Sequence, residues 1–522
     1  MNNLTLDQFI LNLPEHHILT PAQIKNVSQL IGLSKKFCSK SEVGYDKEGG
    51  ISENSIILES GHQPNFLPYS GIWKKAFLLN RIQKKLSNDE FSSIAFFGLA
   101  DQNISTARIL SKNQIPALNK DGMIKIGFRI QDSDKFRSFN RIQKPSPEIW
   151  QAEIQRIEKH YSDLFKKTRS EIMGEKQSDR ILEILWKSYE LAGNFAEMNA
   201  FIFAKFCHEI FDIRIRFFLY SDMHREKVFL NEARVILQNL HLFNNSYNQA
   251  IEQKHLDIPL VKEDRIPFWF ECECGVKIEI ILIDSFTGLA RCPSCNKEYL
   301  LEFLENFENL STYFHNMDFN AVSRNMIMAD GLGDSLFLSG SGGSLQYGHI
   351  SDRISENLGF HLPVTFAWRS QDFYLGMVHN GAIHDLRKQF FLSPDDFLSG
   401  TLKGKILGSL SKIQAKITDA EVAGDKKEVK YWSGMLNNSK NQISMIKNIF
   451  ATTPSFLDLL ENLSGEEIIH AWNLTLDHAE IGYMNRVCQV SGKINYHTHL
   501  LSDLPSDDMS VIYENIKNIE VG

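Results

Sequence analysis

The sequence predicts an α/β fold built on a parallel sheet and interrupted by a metal-binding insertion. Three observations carry this. An apolar run at 55–59 is followed by a glycine-bearing loop, a helical pattern over 72–85 and a second apolar run at 93–99. The same order of strand, glycine turn, helix and strand returns between 335 and 368. Between the two stand Cys272, Cys274, Cys292 and Cys295, a C-x-C pair and a C-x-x-C pair separated by seventeen residues. Strands joined through a helix lie parallel, because only antiparallel neighbours can be linked by a tight turn.

Composition narrows the class. A chain of 522 residues suggests two to four domains, and 43% hydrophobic residues are ample for a large core. With 36 Phe and only 14 Pro, long disordered linkers are not expected. The formal net charge of −8 gives no reason at the whole-chain level to expect a nucleic-acid partner. No run of about eighteen apolar residues offers a membrane span. Residues 1–7 lack the basic start and apolar core of a signal peptide. Cys38, Cys207 and Cys488 are scattered, so the cysteine pattern fits a reducing compartment, and the expected location is cytoplasmic.

Taken in order, Thr20-Pro21-Ala22-Gln23 opens a helix to about residue 36: an N-cap, Pro at the first helical position and Gln soon after. A polar loop follows at 44–50. Residues 147–207 are helical in pattern and feed a strand at 213–220. Within the cysteine-bearing stretch, 276–282 alternates as a strand, and Gly288 is the expected hairpin turn. After 401, Leu402, Ile406, Leu410, Ile413 and Ile417 recur at helical spacing, as do Val429, Trp432, Leu436, Ile443, Ile446 and Phe450. Gly424-Asp425 can turn between them. A helical hairpin with coiled-coil spacing is expected, each arm about three heptads long, with a plain helical hairpin packed on the body as the alternative. The tail after Pro454 reads as helical and then irregular.

The chemistry divides between two places. Four thiolates on two knuckles can close a tetrahedral shell around Zn²⁺, and Gly275 gives the first knuckle backbone freedom. A zinc ribbon over 266–303 is expected, its metal structural because a closed four-cysteine shell has no open position. Four buried thiols or two disulfides are the plainer alternatives. The second place is the carboxyl edge of the sheet, where ligands of open α/β folds bind. Gly61, His62, Gln63 and Asn65 precede one helix, and Ser339, Gly340, Ser341, Gly342 and Gly343 precede another. Helix N-termini and glycine turns suit a phosphate or carboxylate, so ATP or ADP is a candidate cofactor. Asp101, ending the second strand, could accept from an amine or a ribose hydroxyl. His62 could equally hold its turn, and Asp101 could cap a helix. His478, His497 and His499 lack a companion at ligand spacing. Residues 400–405 fall one short of a phosphate-binding Gly-rich loop.

Several segments together resemble the bacillithiol synthase family, the cysteine-adding enzymes of bacillithiol biosynthesis. They are Ser60-Gly61-His62-Gln63-Pro64 after a strand, Phe96-Phe97-Gly98-Leu99-Ala100-Asp101, the run from Phe195-Ala196-Glu197-Met198-Asn199 to Tyr220-Ser221-Asp222, and the run from Leu338-Ser339-Gly340 to Gly359-Phe360-His361-Leu362-Pro363. The late hairpin is similar to that family's dimerisation arm. The likeness spans roughly 55–450 and is that of a remote relative. It implies a Rossmann-like core of class I synthetase type and a ligase joining cysteine, or a similar amino acid, to an amino-sugar or other amine. It also implies a homodimer through the hairpin, with catalytic roles for His62 and Asp101. The chain departs from the family at Asp101-Gln102-Asn103 and in its ribbon. The expected organisation is a helical segment at 1–50, a core at 51–265 and 304–395, the ribbon at 266–303, the hairpin at 396–455 and a terminal segment at 456–522. Two other readings remain: a zinc-ribbon protein that binds RNA or a partner without catalysis, and a nucleotidyl transferase on the same core.

Overall fold

The computed structural model describes residues 5–11, 17–44, 50–87, 92–168, 171–340, 344–484, 486–497 and 509–520. Ser341, Gly342 and Gly343 of the second glycine turn, residues 45–49 of the polar loop, residues 1–4 and His499 lie outside these.

In chain order the strands are β1 (Ile56–His62), β2 (Ser93–Leu99), β3 (Lys112–Pro116), β4 (Met123–Gly127), β5 (Arg216–Leu219), β6 (Arg265–Glu271) and β7 (Lys277–Leu282). They continue as β8 (Thr287–Arg291), β9 (Glu298–Glu302), β10 (Met317–Phe319), β11 (Leu336–Ser339), β12 (Val364–Leu375), β13 (Glu480–Met484) and β14 (Val487–His497). Seven of them form one sheet in the order β13-β14-β12-β11-β1-β2-β5. All neighbours there run parallel except β13, which is antiparallel to β14 at the edge. Read from β5, the six parallel strands follow the order 3-2-1-4-5-6 of a doubly wound, Rossmann-like sheet.

Both faces of this sheet are covered, which explains the unbroken apolar runs of β1 and β2. Along β1, Ile56 and Leu58 face one core with Trp73, Ala76 and Ile82 of the helix Ser70–Leu86. Ile57 faces the other, with Val27 and Leu30 of the helix Pro21–Ser41. That second helix begins as its sequence foretells: Thr20 and Gln23 form a capping box, with Pro21 at its start. The first core is rich in rings; Trp73 stacks on Phe456 with centroids 4.7 Å apart.

The cysteine-bearing stretch folds as an antiparallel sheet in the order β10-β6-β7-β8-β9. The turn between β7 and β8 falls at 283–286, not at Gly288. Gly288 lies inside β8, where a Cβ would come within 2.9 Å of Ile280 Cγ2. The sheet also recruits β10, from beyond residue 303. Phe268, Phe270, Ile278 and Leu301 share a core with Val27, Phe319 and Ile327, so the stretch is continuous with the body.

The hairpin forms from helices Leu402–Val422 and Lys426–Ala451, with Asp425 capping the second through the amides of Lys427 and Glu428. Its base is buried in the body through Leu402, Ile406, Ile443, Ile446 and Phe450. Near the tip, Lys416 covers the Trp432 ring from 4.1 Å. The seam is thus largely closed by the molecule itself. The tail differs from its irregular reading: after helix Gly465–Asp477 it turns back as β13 and β14. On one face of β14, Cys488, Val490, Ile494 and Tyr496 are buried and Gly492 is half-buried, the alternation of a strand with one polar face.

Gly61 and Gly98 are partners across β1 and β2, and the Tyr220 ring lies over both. A Cβ on Gly61 would stand 2.6 Å from the Tyr220 hydroxyl and 2.9 Å from the Gly98 carbonyl. At Gly98 it would overlap the ring itself. Gly98→Ala is expected to cost about 1–3 kcal/mol through overpacking. Urea unfolding checks this, and an unchanged midpoint would mean that the ring moves aside freely.

Candidate functional site

A cavity of about 630 Å³ opens at the carboxyl ends of β1, β11, β12 and β14. This is where the strand order reverses: β1 continues to β2 on one side, while β11 and β12 lie on the other. His62 and Asn65, from the end of β1 and its loop, meet Ser339 and Gly340 from the end of β11. Ser70, Gly71, Lys74 and Lys75, opening the helix Ser70–Leu86, form the floor between them. Trp368, Ser370 and Asp372 of β12 and Tyr496 of β14 complete the wall.

Two lysines dominate the charge. Lys75 is 9% exposed and its ammonium donates to the Gly61 carbonyl at 2.8 Å. Burial, and then the Arg324 guanidinium, push its pKa down to about 8 against the opposing pull of Glu59. Gly340 stands beside it in open space, a Cβ there meeting only Lys75 Cε at 3.9 Å. Lys74 is held by Asp372, with Nζ 2.7 and 2.9 Å from its two oxygens, and by Ser370 Oγ at 2.5 Å. Ser70 Oγ and Ser370 Oγ also donate to Asp372, at 2.5 and 2.8 Å. Burying two ammonium groups in the first turns of a helix works against the helix dipole. The arrangement is one in which an anion would be stabilised by Lys75, by the helix N-terminus and by the open backbone at Gly340.

Desolvation holds His62 well below the usual imidazole range, so its ring is neutral at pH 7. Its Nδ1 lies 3.0 Å from the Gln63 carbonyl, which only accepts; Nδ1 therefore carries the proton and Nε2 is an acceptor. Asn65 is 6% exposed and its side-chain oxygen has no hydrogen-bond partner. An unpaired buried acceptor on a cavity wall suits a ligand N–H or O–H.

The other sequence-derived candidates lie elsewhere. Gly61 belongs to β1 and accommodates Tyr220, so it serves packing rather than close approach of a phosphate. Gln63 does not line the cavity. Asp101 is 1% exposed and accepts from the Ser221 amide at 3.0 Å and from Ser221 Oγ at 2.5 Å. It caps the short helix Tyr220–Arg225, a partner far away in sequence. Burial outweighs those hydrogen bonds and pushes its pKa up to about 7. Lys74, Lys75, Ser370 and Asp372 are the residues that sequence reasoning missed. The adjacent lysines at the start of a helix, straight after a glycine loop, were the available signal.

The four cysteine Sγ atoms lie within 4.8 Å of one another. Cys272 is 3.5 Å from Cys295, and Cys274 is 3.6 Å from Cys292, far beyond disulfide bonding. Zinc bonds of about 2.3 Å in a tetrahedron put sulfurs roughly 3.8 Å apart, so the residues present fit the ion. Each pair sits on a tight turn: the Gly275 amide donates to the Cys272 carbonyl at 2.7 Å, and that of Asn296 to Cys292 at 3.0 Å. Gly275 (φ +85°) adopts the left-handed conformation its turn needs. The first knuckle is also tied to the body, Ser138 N donating to the Gly275 carbonyl at 2.8 Å.

No protein-family model and no curated protein matches this sequence. Among solved structures, one match is a provisionally named arginyl tRNA synthetase from Campylobacter jejuni. It has a TM-score of 0.22 and 11% identity, covering 84% of this chain and 98% of the other. A likeness that slight carries no argument about fold or activity. Among the described residues, no helix is long and apolar enough to cross a membrane.

Two outcomes are expected here. Protein purified without added metal should contain one zinc per chain by elemental analysis, and Cys292→Ser should lose it. Fresh protein without zinc, its stability unmoved by a chelator, would remove the metal reading. Asp101 binds its proton more tightly folded than unfolded, so its contribution favours the folded state at low pH and is lost as pH rises towards about 7. Asp101→Asn should therefore lessen the fall in urea-unfolding stability between pH 5 and pH 8, by of order 1 kcal/mol or more.

Proposed function

We propose that the protein is a ligase-type enzyme that binds a nucleotide phosphate or an activated carboxylate at Lys75 and joins it to an amine held near Asp372 and Asn65. The observation that carries this reading is the position of the cavity at the reversal of strand order, with a buried ammonium at its floor that donates to the Gly61 carbonyl and is only partly offset by Glu59. Developing negative charge on a phosphoryl or acyl oxygen would be stabilised by Lys75 and by amides fixed in place before reaction. Asp372, rather than Asp101, supplies the carboxylate in reach of an incoming ammonium, and the Asn65 oxygen offers a second acceptor. The neutral His62 Nε2 can accept a proton or a hydrogen bond from the ligand. Trp368 and Tyr496 give the ligand's body apolar and aromatic surface. A class I synthetase-like activation of an amino acid fits this arrangement. The bacillithiol-synthase resemblance makes cysteine and an amino-sugar the first substrate pair to try. The ribbon, in this reading, is a structural zinc site. We also infer that two copies pair through the outer half of the hairpin, where Val422 and Tyr431 are 86% and 60% exposed.

Calorimetry with ATP, ADP and amino acids tests the site. Lys75→Met should weaken nucleotide binding at least tenfold while leaving the fold intact, because it replaces a buried charge with an apolar chain of similar length. Wild-type affinity should fall as pH rises through about 8, where Lys75 loses its proton. Normal binding by Lys75→Met would move the site elsewhere, and no binding by the wild type would remove the nucleotide reading. Light scattering on the intact chain should report a dimer; a monomer would refute the hairpin pairing.

A further inference from the structure

A second, smaller cavity lies on the opposite face of β1, under the helices Ala321–Leu332 and Ser344–Leu358. Its volume is about 50 Å³. Glu59 of β1, Asp334 just before β11, Ser351 and Asn325 from the two helices, and the Asp352–Arg486 pair face it. Asp352 and Arg486 satisfy each other. The Asp334 carboxylate is not satisfied. Asp334 is 0% exposed and neither of its oxygens is hydrogen-bonded to another residue. Ser351 Oγ is likewise buried and without a partner. Glu59 is 3% exposed, in the middle of the sheet. Two buried carboxylates facing one small cavity, one of them without a donor, are costly as anions and call for a proton or a cation.

The charged groups around them do not fill that need. Arg324 and Lys75 act on Glu59 electrostatically, but Lys75 donates to the Gly61 carbonyl and Arg324 lies over the Tyr220 ring at 5.0 Å. Glu59 raises the pKa of Asp334 further, on top of burial. The space has room for an ion or a water or two. Its free groups are carboxylate, hydroxyl and amide oxygens, the donor set of hard cations.

We propose that Glu59 and Asp334, assisted by Ser351 and Asn325, hold a divalent hard cation of the Mg²⁺, Mn²⁺ or Ca²⁺ kind. Two carboxylates neutralise its charge, and the ion takes the place of the protons that would otherwise be held there. Because Glu59 lies on β1 and Asp334 leads into β11, the ion would cross-link the two strands whose far ends frame the main cavity. This inference is independent of the ligase reading and of the zinc site.

The test is Mn²⁺ binding to the zinc-loaded full chain, without nucleotide, followed by electron paramagnetic resonance. One Mn²⁺ per chain is expected, displaced by Mg²⁺ or Ca²⁺ but not by an equivalent ionic strength of NaCl, with proton release into weakly buffered solution. Asp334→Asn should weaken it at least tenfold without changing the zinc content. Ser351→Ala, which keeps both carboxylates, should weaken it severalfold and covers the case in which Asp334→Asn folds poorly. Absence of a Mn²⁺ site in the wild type, or unchanged affinity in Ser351→Ala and a folded Asp334→Asn, overturns the proposal. A gain in melting temperature for Asp334→Asn, with a wild type indifferent to Mn²⁺, would show protonated carboxyls and water there instead.

Discussion

Because β1 pairs in parallel with β2 on one side and with β11 on the other, the chain cannot connect these strands by tight turns. It must leave the sheet and return through crossovers, first towards β5 and later towards β14. At the seam where the direction changes, the loops after β1 and β11 part from one another and leave a crevice. The cavity, the exposed start of the helix Ser70–Leu86 and the open backbone at Gly340 all follow from that one reversal. Even the insertion obeys it, because it occurs between β5 and β11, in the long passage from one half of the sheet to the other.

The central strand also organises the buried charge. Residues alternate across β1, so His62 faces the large cavity while Glu59 faces the small one. Lys75 reaches the Gly61 carbonyl at the end of the same strand. Lys75 and Glu59 perturb one another across this short distance, each pulled from its ordinary pKa chiefly by burial. Such groups oppose folding unless something compensates them, and fully structural positions are normally apolar. Their concentration around one strand is therefore a physical pointer to ligands. Asp101 marks the limit of that inference. Its pKa is raised as well, yet its oxygens are committed to Ser221, and its role is to fasten β2 to the helix after β5.

The cysteine-bearing sheet shows how an insertion can share its host's core. Phe268 and Phe270 on β6 turn inward to Phe319 and the helix Ala321–Leu332, and Cys272 and Cys292 are buried at the margin of the same core. The buried Lys277–Asp318 pair, with His224 on the other Asp318 oxygen at 3.4 Å, ties β7 to β10. Desolvation opposes the charge on Asp318, but Lys277 and His224 together hold its pKa far below the usual carboxylate range. Metal binding would therefore act chiefly on the outer β8–β9 hairpin, where Cys295 is exposed. The same division holds for the helical hairpin, whose base is core and whose tip is surface.

Local patterns were enough for much of this molecule. The apolar runs gave β1, β2 and β11, because strands buried on both faces carry a signal in every residue. Thr20, Pro21 and Gln23 announced a helix start, Gly424 and Asp425 a hairpin turn, and the cysteine spacing a cluster of thiols, each through geometry confined to a few residues. β14 and the outer half of β12 escaped notice because one face of each is polar; there Ser370 and Asp372 break the apolar run that marks a strand. Those same polar residues build the cavity wall. His62, Asn65, Ser339 and Gly340 could be picked out as loop residues at strand ends, but Asp101 at an equivalent strand end is spent on capping. Sequence determined the strands buried on both faces, the helices with local start signals and the paired cysteines. Only the tertiary structure decided which polar groups find partners and which are left facing a cavity, because satisfaction of a buried group depends on atoms supplied by distant parts of the chain.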